Sequence, residues 1–379
     1  MMDMMSSKRS LNAFHSRATA PYRLSLRRLF LHLSKVSRVI PSRLFLHDII
    51  CHEHDRIPCG EGQYAEVFRA KYNDVYVSLK RLRVYQNRHN GAEDHEAFCR
   101  ELLVWSQLSH ANVLPLLGAD NSTFRGRHCM VSPWMRNGNI HECMQSLHSK
   151  RIRIPFERWL LEISQGLEYL HAEGIIHGDL RGANILVDDY MHIRLADFGL
   201  AFFADSTTAT LGSHVGGAAR WMAPELLKSS QRATYASDIY SFGCLCVEVL
   251  TRKVPFSCVP SDAQVIAKVL KGLRPSRPTL ENGLSLPDDL WSLLQGCWAG
   301  NPFDRPDDGA IVELMEAICS KEWARPMTVA LAAKSSAPPS HSIKLLLGHA
   351  RYLAGSSCTQ SSSNGAVLLL TSALLLQPL

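Results

Sequence analysis

The run from Ile175 to Gly199, IIHGDLRGANILVDDYMHIRLADFG, constrains the fold more than any other part of the chain. Ile185-Leu186-Val187 and His192-Ile193-Arg194-Leu195 are β-prone runs, and Asp188-Asp189 is a turn between them. The stretch therefore reads as a loop, a short hairpin and a second loop. A hairpin returns the chain to where it began, so Asp179 and Asn184 lie near Asp197. Two carboxylates and one amide suit Mg²⁺, a hard cation that takes oxygen ligands and only a few of them from protein. Either loop alone is a weak signal, because a D-F-G triplet occurs by chance. The two loops together, in this order, are a strong one.

The chain before this stretch alternates turns and strands. Cys59-Gly60-Glu61-Gly62-Gln63-Tyr64-Ala65-Glu66-Val67 is a glycine-rich loop of the form G-x-G-x-x-A. A lone match of this kind is usually an ordinary hairpin. Here strands flank it on both sides, whereas a dinucleotide-binding fold has a strand leading into a helix. In Val75-Tyr76-Val77-Ser78-Leu79-Lys80 the apolar residues alternate with Tyr76, Ser78 and Lys80, so this is a strand with Lys80 on its second face. From Glu93 to Leu108 the period becomes helical, with Phe98, Leu102, Trp105 and Leu108 on one stripe and Glu101 beside it. On pattern alone, Lys80 is equally a solvated strand lysine and Glu101 a surface helix glutamate. Residues 109–116 read as the end of that helix and the start of a strand. His128 to Ser132 is another strand, running into Pro133-Trp134-Met135.

Residues 139–172 are helical, with a second helix opened by Ile154-Pro155. Leu200 to Trp221, rich in Ser, Thr, Gly and Ala, reads as a mobile loop. Ser237 to Leu250 is a strongly apolar helix suited to a buried centre, and the last apolar helix ends near Ala324. The basic character belongs to one end. Residues 1–47 carry nine Lys/Arg and one acid, so a whole-chain charge of +6 leaves the remainder slightly acidic. That weakens any reading of the folded body as a nucleic-acid binder, and no nucleic-acid partner is expected. The first 45 residues form a basic arm whose composition fits a disordered leader, a mitochondrial transit peptide or a membrane-surface contact. The eleven cysteines include no C-x-x-C pair and read as reduced thiols, which points to a cytoplasmic chain, or a mitochondrial one through the arm. No apolar run reaches the ~18 residues of a membrane-spanning helix. Residues 326–379 are a low-complexity tail with an apolar end. Nothing in the pattern speaks to oligomeric state.

His177-Gly178-Asp179-Leu180 with Asn184, followed by Asp197-Phe198-Gly199, resembles the catalytic and metal loops of protein kinases. Other segments agree in order: the glycine-rich loop, the Lys80 strand, Ala223-Pro224-Glu225, Asp238 and Arg305. Trp221-Met222 ahead of the A-P-E triplet is the form seen in tyrosine-kinase-like serine/threonine kinases. The resemblance covers about residues 46–325. It implies an α+β, two-lobed fold with an antiparallel sheet and one helix in an N-lobe (about 46–132) and a mainly helical C-lobe (about 136–325). It also implies ATP and Mg²⁺, with protein substrates. Gly60, Glu61, Gly62 and Val67 would cover the nucleotide, and Ser132, Trp134, Met135 and Leu186 would line the adenine pocket. The small Ser132 would leave the back of that pocket open. Lys80, paired with Glu101, would hold phosphates; Asn184 and Asp197 would hold the metal; Asp179 would be the base and Arg181 a charge beside it. Asp238 would brace the catalytic loop, and Arg305 would pair with Glu225.

This chain departs from the family pattern at four places. Gly178 replaces the usual arginine, Arg181 the usual lysine, Ala218 a threonine and Ala65 a glycine. None removes a group named above, so a serine/threonine kinase is expected. The rivals are a nucleotide-binding scaffold without activity and a tyrosine or dual-specificity kinase, the latter suggested by Arg181. The arginine missing at Gly178 is the family's partner for a phosphate on the loop that follows. Phosphomimetic changes at Thr207, Thr208 or Thr210 are therefore expected to leave turnover near the wild-type level in a kinase assay, and strong activation would refute this.

Overall fold

Period-two patterning makes the first half of the chain a sheet, and period 3.6 makes the second half helical. The computed structural model describes residues 40–61, 65–83, 91–124, 127–203, 218–228, 231–278 and 286–320. Gly62, Gly217, Thr207, Thr208 and Thr210, most of the arm and the whole tail lie outside the described residues.

Five strands, β1 (Gly60–Glu61), β2 (Ala65–Tyr72), β3 (Val75–Leu82), β4 (Gly118–Asp120) and β5 (Cys129–Pro133), form one antiparallel sheet in the order β1-β2-β3-β5-β4. Asn73 and Asp74 join β2 to β3 with both φ angles positive, as a two-residue hairpin connection requires. The register sets Val67 and Met130 on either side of Lys80. Helix α1 (Gly91–Trp105) supplies Phe98, Leu102 and Trp105 to the core, as its stripe predicts, with Glu101 buried among them.

The remaining elements are α2 (Ile140–Ser149), α3 (Phe156–Ala172), β6 (Ile175–Ile176), β7 (Ile185–Val187), β8 (Ile193–Leu195), β9 (Phe202–Phe203), α4 (Pro224–Lys228), α5 (Tyr235–Thr251), α6 (Asp262–Leu270), α7 (Asp288–Cys297) and α8 (Asp308–Ser320). The β7–β8 hairpin pairs Ile185 with Leu195 and Val187 with Ile193. Asn139 and Glu142 form a capping box that starts α2, and Thr234 and Ser237 form one that starts α5. Almost every residue of α5 from Ser237 to Leu250 is buried, so this helix is the centre of the helical lobe. Every cysteine among the described residues is a free thiol, and no helix among them is long and apolar enough to cross a membrane.

Two expectations are corrected. The packed body begins before residue 46. Ile40, Leu44 and Leu46 are buried, Phe45 lies beside Ala119 in a short parallel bridge, and Leu46 N donates to Ala119 O at 2.8 Å. Gly118 permits this approach, because a Cβ there would sit 2.5 Å from Leu44 O. The basic character of the arm concealed these apolar contacts. The strand expected within 109–116 is only a bridge between Val113 and Leu195. Pro115 has no N–H to continue it, and β4 begins at Gly118.

Arg305 fastens the outer elements of the helical lobe. Its guanidinium donates to both oxygens of Glu225 at 2.7 and 2.8 Å, to Ala236 O and to Ala299 O, and it lies over the Tyr240 ring. Its side chain is almost fully buried. Removing one partner of such a pair leaves a desolvated charge. Arg305→Met is therefore expected to lower stability by about 3–5 kcal/mol, read as a shift in the urea midpoint. A loss under ~1 kcal/mol would contradict this account.

Candidate active site

The centre of the site is a buried ammonium. Lys80 Nζ lies 2.6 Å from Glu101 Oε1 and 2.6 Å from Asp197 Oδ1. Strand pairing aims Lys80 from β3, the apolar stripe of α1 buries Glu101, and the loop after β8 presents Asp197 in a left-handed conformation, φ 65°. Burial works against the charge on Lys80, but the Asp197 and Glu101 carboxylates outweigh it and hold the pKa above the ordinary lysine value. Burial raises the pKa of Glu101, and Lys80 offsets this only in part. Burial would also raise Asp197. The Lys80 ammonium, with a bond from Gly199 N, instead holds it below the ordinary carboxylate value. The two acids differ in access, since the Glu101 side chain is 2% exposed and that of Asp197 45%. Only Asp197 is open to another cation.

Asp179 lies on the loop after β6. Asn184 Nδ2 donates to Asp179 Oδ2 and to Asp179 O, both at 2.8 Å, and Arg181 Nε is 3.4 Å from Asp179 Oδ2. The two loops are tied by main chain, with Ala196 N donating to Asn184 O at 2.9 Å. His177 Nε2 is 3.2 Å from Ala196 O. Phe198 is buried between His177 and Trp105, so the metal-loop position is packed against α1. This brings Lys80, Glu101, Asp179, Arg181, Asn184 and Asp197 into one site.

The residues expected around a nucleotide base also converge. Ser132 is buried, and its hydroxyl lies 2.7 Å from that of Ser78. Trp134 and Met135 follow β5, with Trp134 N donating to Tyr76 O and Gly138 N to Met135 O. Val187 N donates to Gly138 O, and Asn139 bridges Leu186, which sets Leu186 beside this connection. Gly60 pairs with Val67 and Glu61 with Glu66 as the base of the glycine-rich hairpin.

Asp197 and Asn184 fit a Mg²⁺ ion on the chemistry of their donors. Asp197 is an accessible carboxylate with a low pKa. The Asn184 NH₂ is turned to Asp179, so its amide oxygen is the atom left to bind a cation. A site with so few protein ligands suits an ion that keeps waters and shares phosphate oxygens.

The backbone of the catalytic loop hangs from a buried carboxylate, as the resemblance implies. Asp238 Oδ2 accepts from His177 N at 2.8 Å, and Oδ1 from Gly178 N at 3.0 Å. Gly178 has φ 78°, where a glycine is unstrained. Two further residues were missed from sequence. Glu248 accepts from Gly182 N, Trp221 Nε1 and the His141 ring. His171 contacts both Asp238 and Asp308. In the sequence, Glu248 and His171 are isolated polar residues on apolar helices, with no spacing that reveals their partners.

Comparison with known proteins agrees with this geometry. A model of the protein tyrosine and serine/threonine kinase family matches residues 56–315. A probable serine/threonine-protein kinase of Dictyostelium discoideum is 30% identical over 68% of this chain. The serine/threonine/tyrosine-protein kinase HT1 of Arabidopsis thaliana is 30% identical over 69%, and the serine/threonine-protein kinase TNNI3K of Mus musculus 30% over 76%. The match spans 27%, 66% and 34% of those proteins' own lengths. With the family pattern matched across most of the chain and its lysine, glutamate and aspartates gathered in one site, the chain belongs to the protein kinase family, in its tyrosine-kinase-like group.

Proposed function

We propose that the chain transfers the γ-phosphoryl group of ATP to Ser or Thr hydroxyls of protein substrates. The observation that carries this reading is the Lys80 ammonium set between Glu101 and Asp197, with Asp179 bonded by Asn184 in the same site. Phosphoryl transfer asks little covalent chemistry of the protein. It needs positioning and neutralised charge, which this arrangement supplies. Lys80, oriented by Glu101, binds α- and β-phosphate oxygens. Asn184 and Asp197 would hold Mg²⁺, which would supply positive charge against the phosphates. Asp179 accepts the hydroxyl proton as the hydroxyl oxygen bonds to the γ-phosphorus. The bond from that phosphorus to the β–γ bridging oxygen breaks, and ADP leaves. Arg181, 3.4 Å from Asp179, adds positive charge on the side of the transferred group.

The inactive-scaffold reading requires the site to be incomplete. Gly178 and Ala218 leave Asp179 bonded by Asn184, so this reading loses its main support. A tyrosine or dual-specificity reading has Arg181 for it and the Trp221-Met222 form against it.

The test uses the purified full-length chain with Mg²⁺, labelled ATP and a generic protein substrate. Label is expected on Ser or Thr, and label confined to Tyr would overturn the acceptor assignment. Asp179→Asn keeps the shape and is expected to lower turnover about a hundred- to ten-thousand-fold with the melting temperature unchanged. Lys80→Met is expected to abolish turnover too. Wild-type turnover in both variants would refute the role assignments.

A further inference from the structure

Within the lobe that carries the catalytic loop, one charged chain has no place in the chemistry above. His171, near the end of α3, is buried. Its Nε2 lies 3.0 Å from Asp238 Oδ2, and its Nδ1 lies 2.8 Å from the Asp308 carboxylate. Asp238 Oδ2 is the same atom that accepts from His177 N at 2.8 Å. An unbroken line therefore runs from Asp308 in the first turn of α8, through His171 and Asp238, to the main chain two residues before Asp179.

We propose that Asp308 is a positioning residue for phosphoryl transfer: through His171 it fixes Asp238, and through Asp238 the backbone that carries Asp179. This rests on the kinase reading above. Three observations support it. First, Asp308 is not needed to start its own helix. Asp307 does that, its carboxylate accepting from Ala310 N at 2.8 Å and its carbonyl from Ile311 N. Second, a ring with one carboxylate at each nitrogen must carry both protons to donate to both. Burial alone would lower the pKa of His171, yet the bonds to Asp238 and Asp308 raise it to about 9. Third, Gly178 has no side chain to anchor the loop. Its N–H and that of His177 both end on Asp238.

The surroundings of the ring set the sign of its pH response. Asp238 and Tyr235 face it from α5, the tyrosine ring at 4.7 Å, and Asp308 faces it from α8. Asp308, Glu313 and Glu316 of α8 lie near Glu168 of α3; burial, then Asp308 and the two glutamates, raise the pKa of Glu168. The two carboxylates bonded to the ring, Asp238 and Asp308, favour the imidazolium. A raised histidine pKa means the contribution is complete below the ordinary histidine value and is lost as pH rises through about 9. Removing Asp308 takes away one of the two carboxylates holding the proton, so the loss should begin at lower pH.

The experiment compares Asp308→Asn and Asp308→Ala with the wild-type full-length chain. It measures kcat and KM for ATP against pH, melting temperature, and hydrogen exchange at the His177 and Gly178 amides. Asp308→Asn guards against failure of the alanine variant to fold. The expected result is a kcat lower by about tenfold, an unchanged KM for ATP, an alkaline limb moved toward neutrality and faster exchange at both amides. A role confined to stability would lower the melting temperature and leave the pH profile and the two amides as in the wild type, and that result overturns the proposal. If the wild-type chain transfers no phosphate, the kinase reading fails. The exchange rates then decide the inference alone: faster exchange in the variants keeps the Asp308–His171–Asp238 line, and unchanged exchange removes it.

Discussion

The site depends on one ammonium shared by two carboxylates. Lys80, Glu101 and Asp197 come from a strand, a helix and a loop, and no main-chain pairing joins those three positions. Burying such charges is costly unless they are matched. Here the cost falls unevenly. Glu101 is enclosed and has a raised pKa, whereas Asp197 stays half-open with a lowered one. One cation against two anions also leaves a net negative charge. The group is therefore better matched when a further cation joins Asp197, and Lys80 is then freer to bind an anion. Its electrostatics suit a cation and a polyphosphate arriving together.

The helical lobe solves a different problem. Its loops cannot satisfy their backbone N–H groups through helices or sheets, and a buried N–H without a partner is costly. Buried carboxylates serve instead. Asp238 takes His177 N and Gly178 N, Glu248 takes Gly182 N, Glu162 takes Ile193 N, and Asp188 takes Tyr190 N and His192 N. Each acid has a cation or ring donor as well: His171, His141, His192 and Arg194 respectively. Irregular backbone is thus held by charge-assisted bonds anchored in regular elements or tight turns.

Much of this was legible in the sequence, because it was written in short-range pattern. The β7–β8 hairpin, the Lys80 strand, the α1 stripe and the buried α5 all follow from periodicity within a few residues. The pairing of Lys80 with Glu101 followed from family likeness, since no local rule joins positions 80 and 101. What stayed hidden was long-range or masked by composition. Ile40, Leu44 and Leu46 are core residues in a segment dominated by arginine, and burial depends on Gly118 leaving room for them. His171 reaches partners 67 and 137 residues away, and nothing near it in the chain distinguishes it from a surface histidine.

The two halves of the site therefore differ in mechanical character. On the sheet side, the bond between Lys80 and Asp197 joins flexible side chains at an exposed carboxylate, so its partners can be exchanged when a ligand enters. On the helical side, the bonds from His177 and Gly178 to Asp238 join main chain to an acid that is 1% exposed, and solvent cannot compete for them. Gly178 sharpens this contrast. With no side chain at that position, the loop takes its shape from the interior of the lobe, through Asp238, and not through a side-chain contact of residue 178 with the segment after Phe203. On the function proposed above, Asp179 must accept a proton in one orientation, and it lies on the side that holds still.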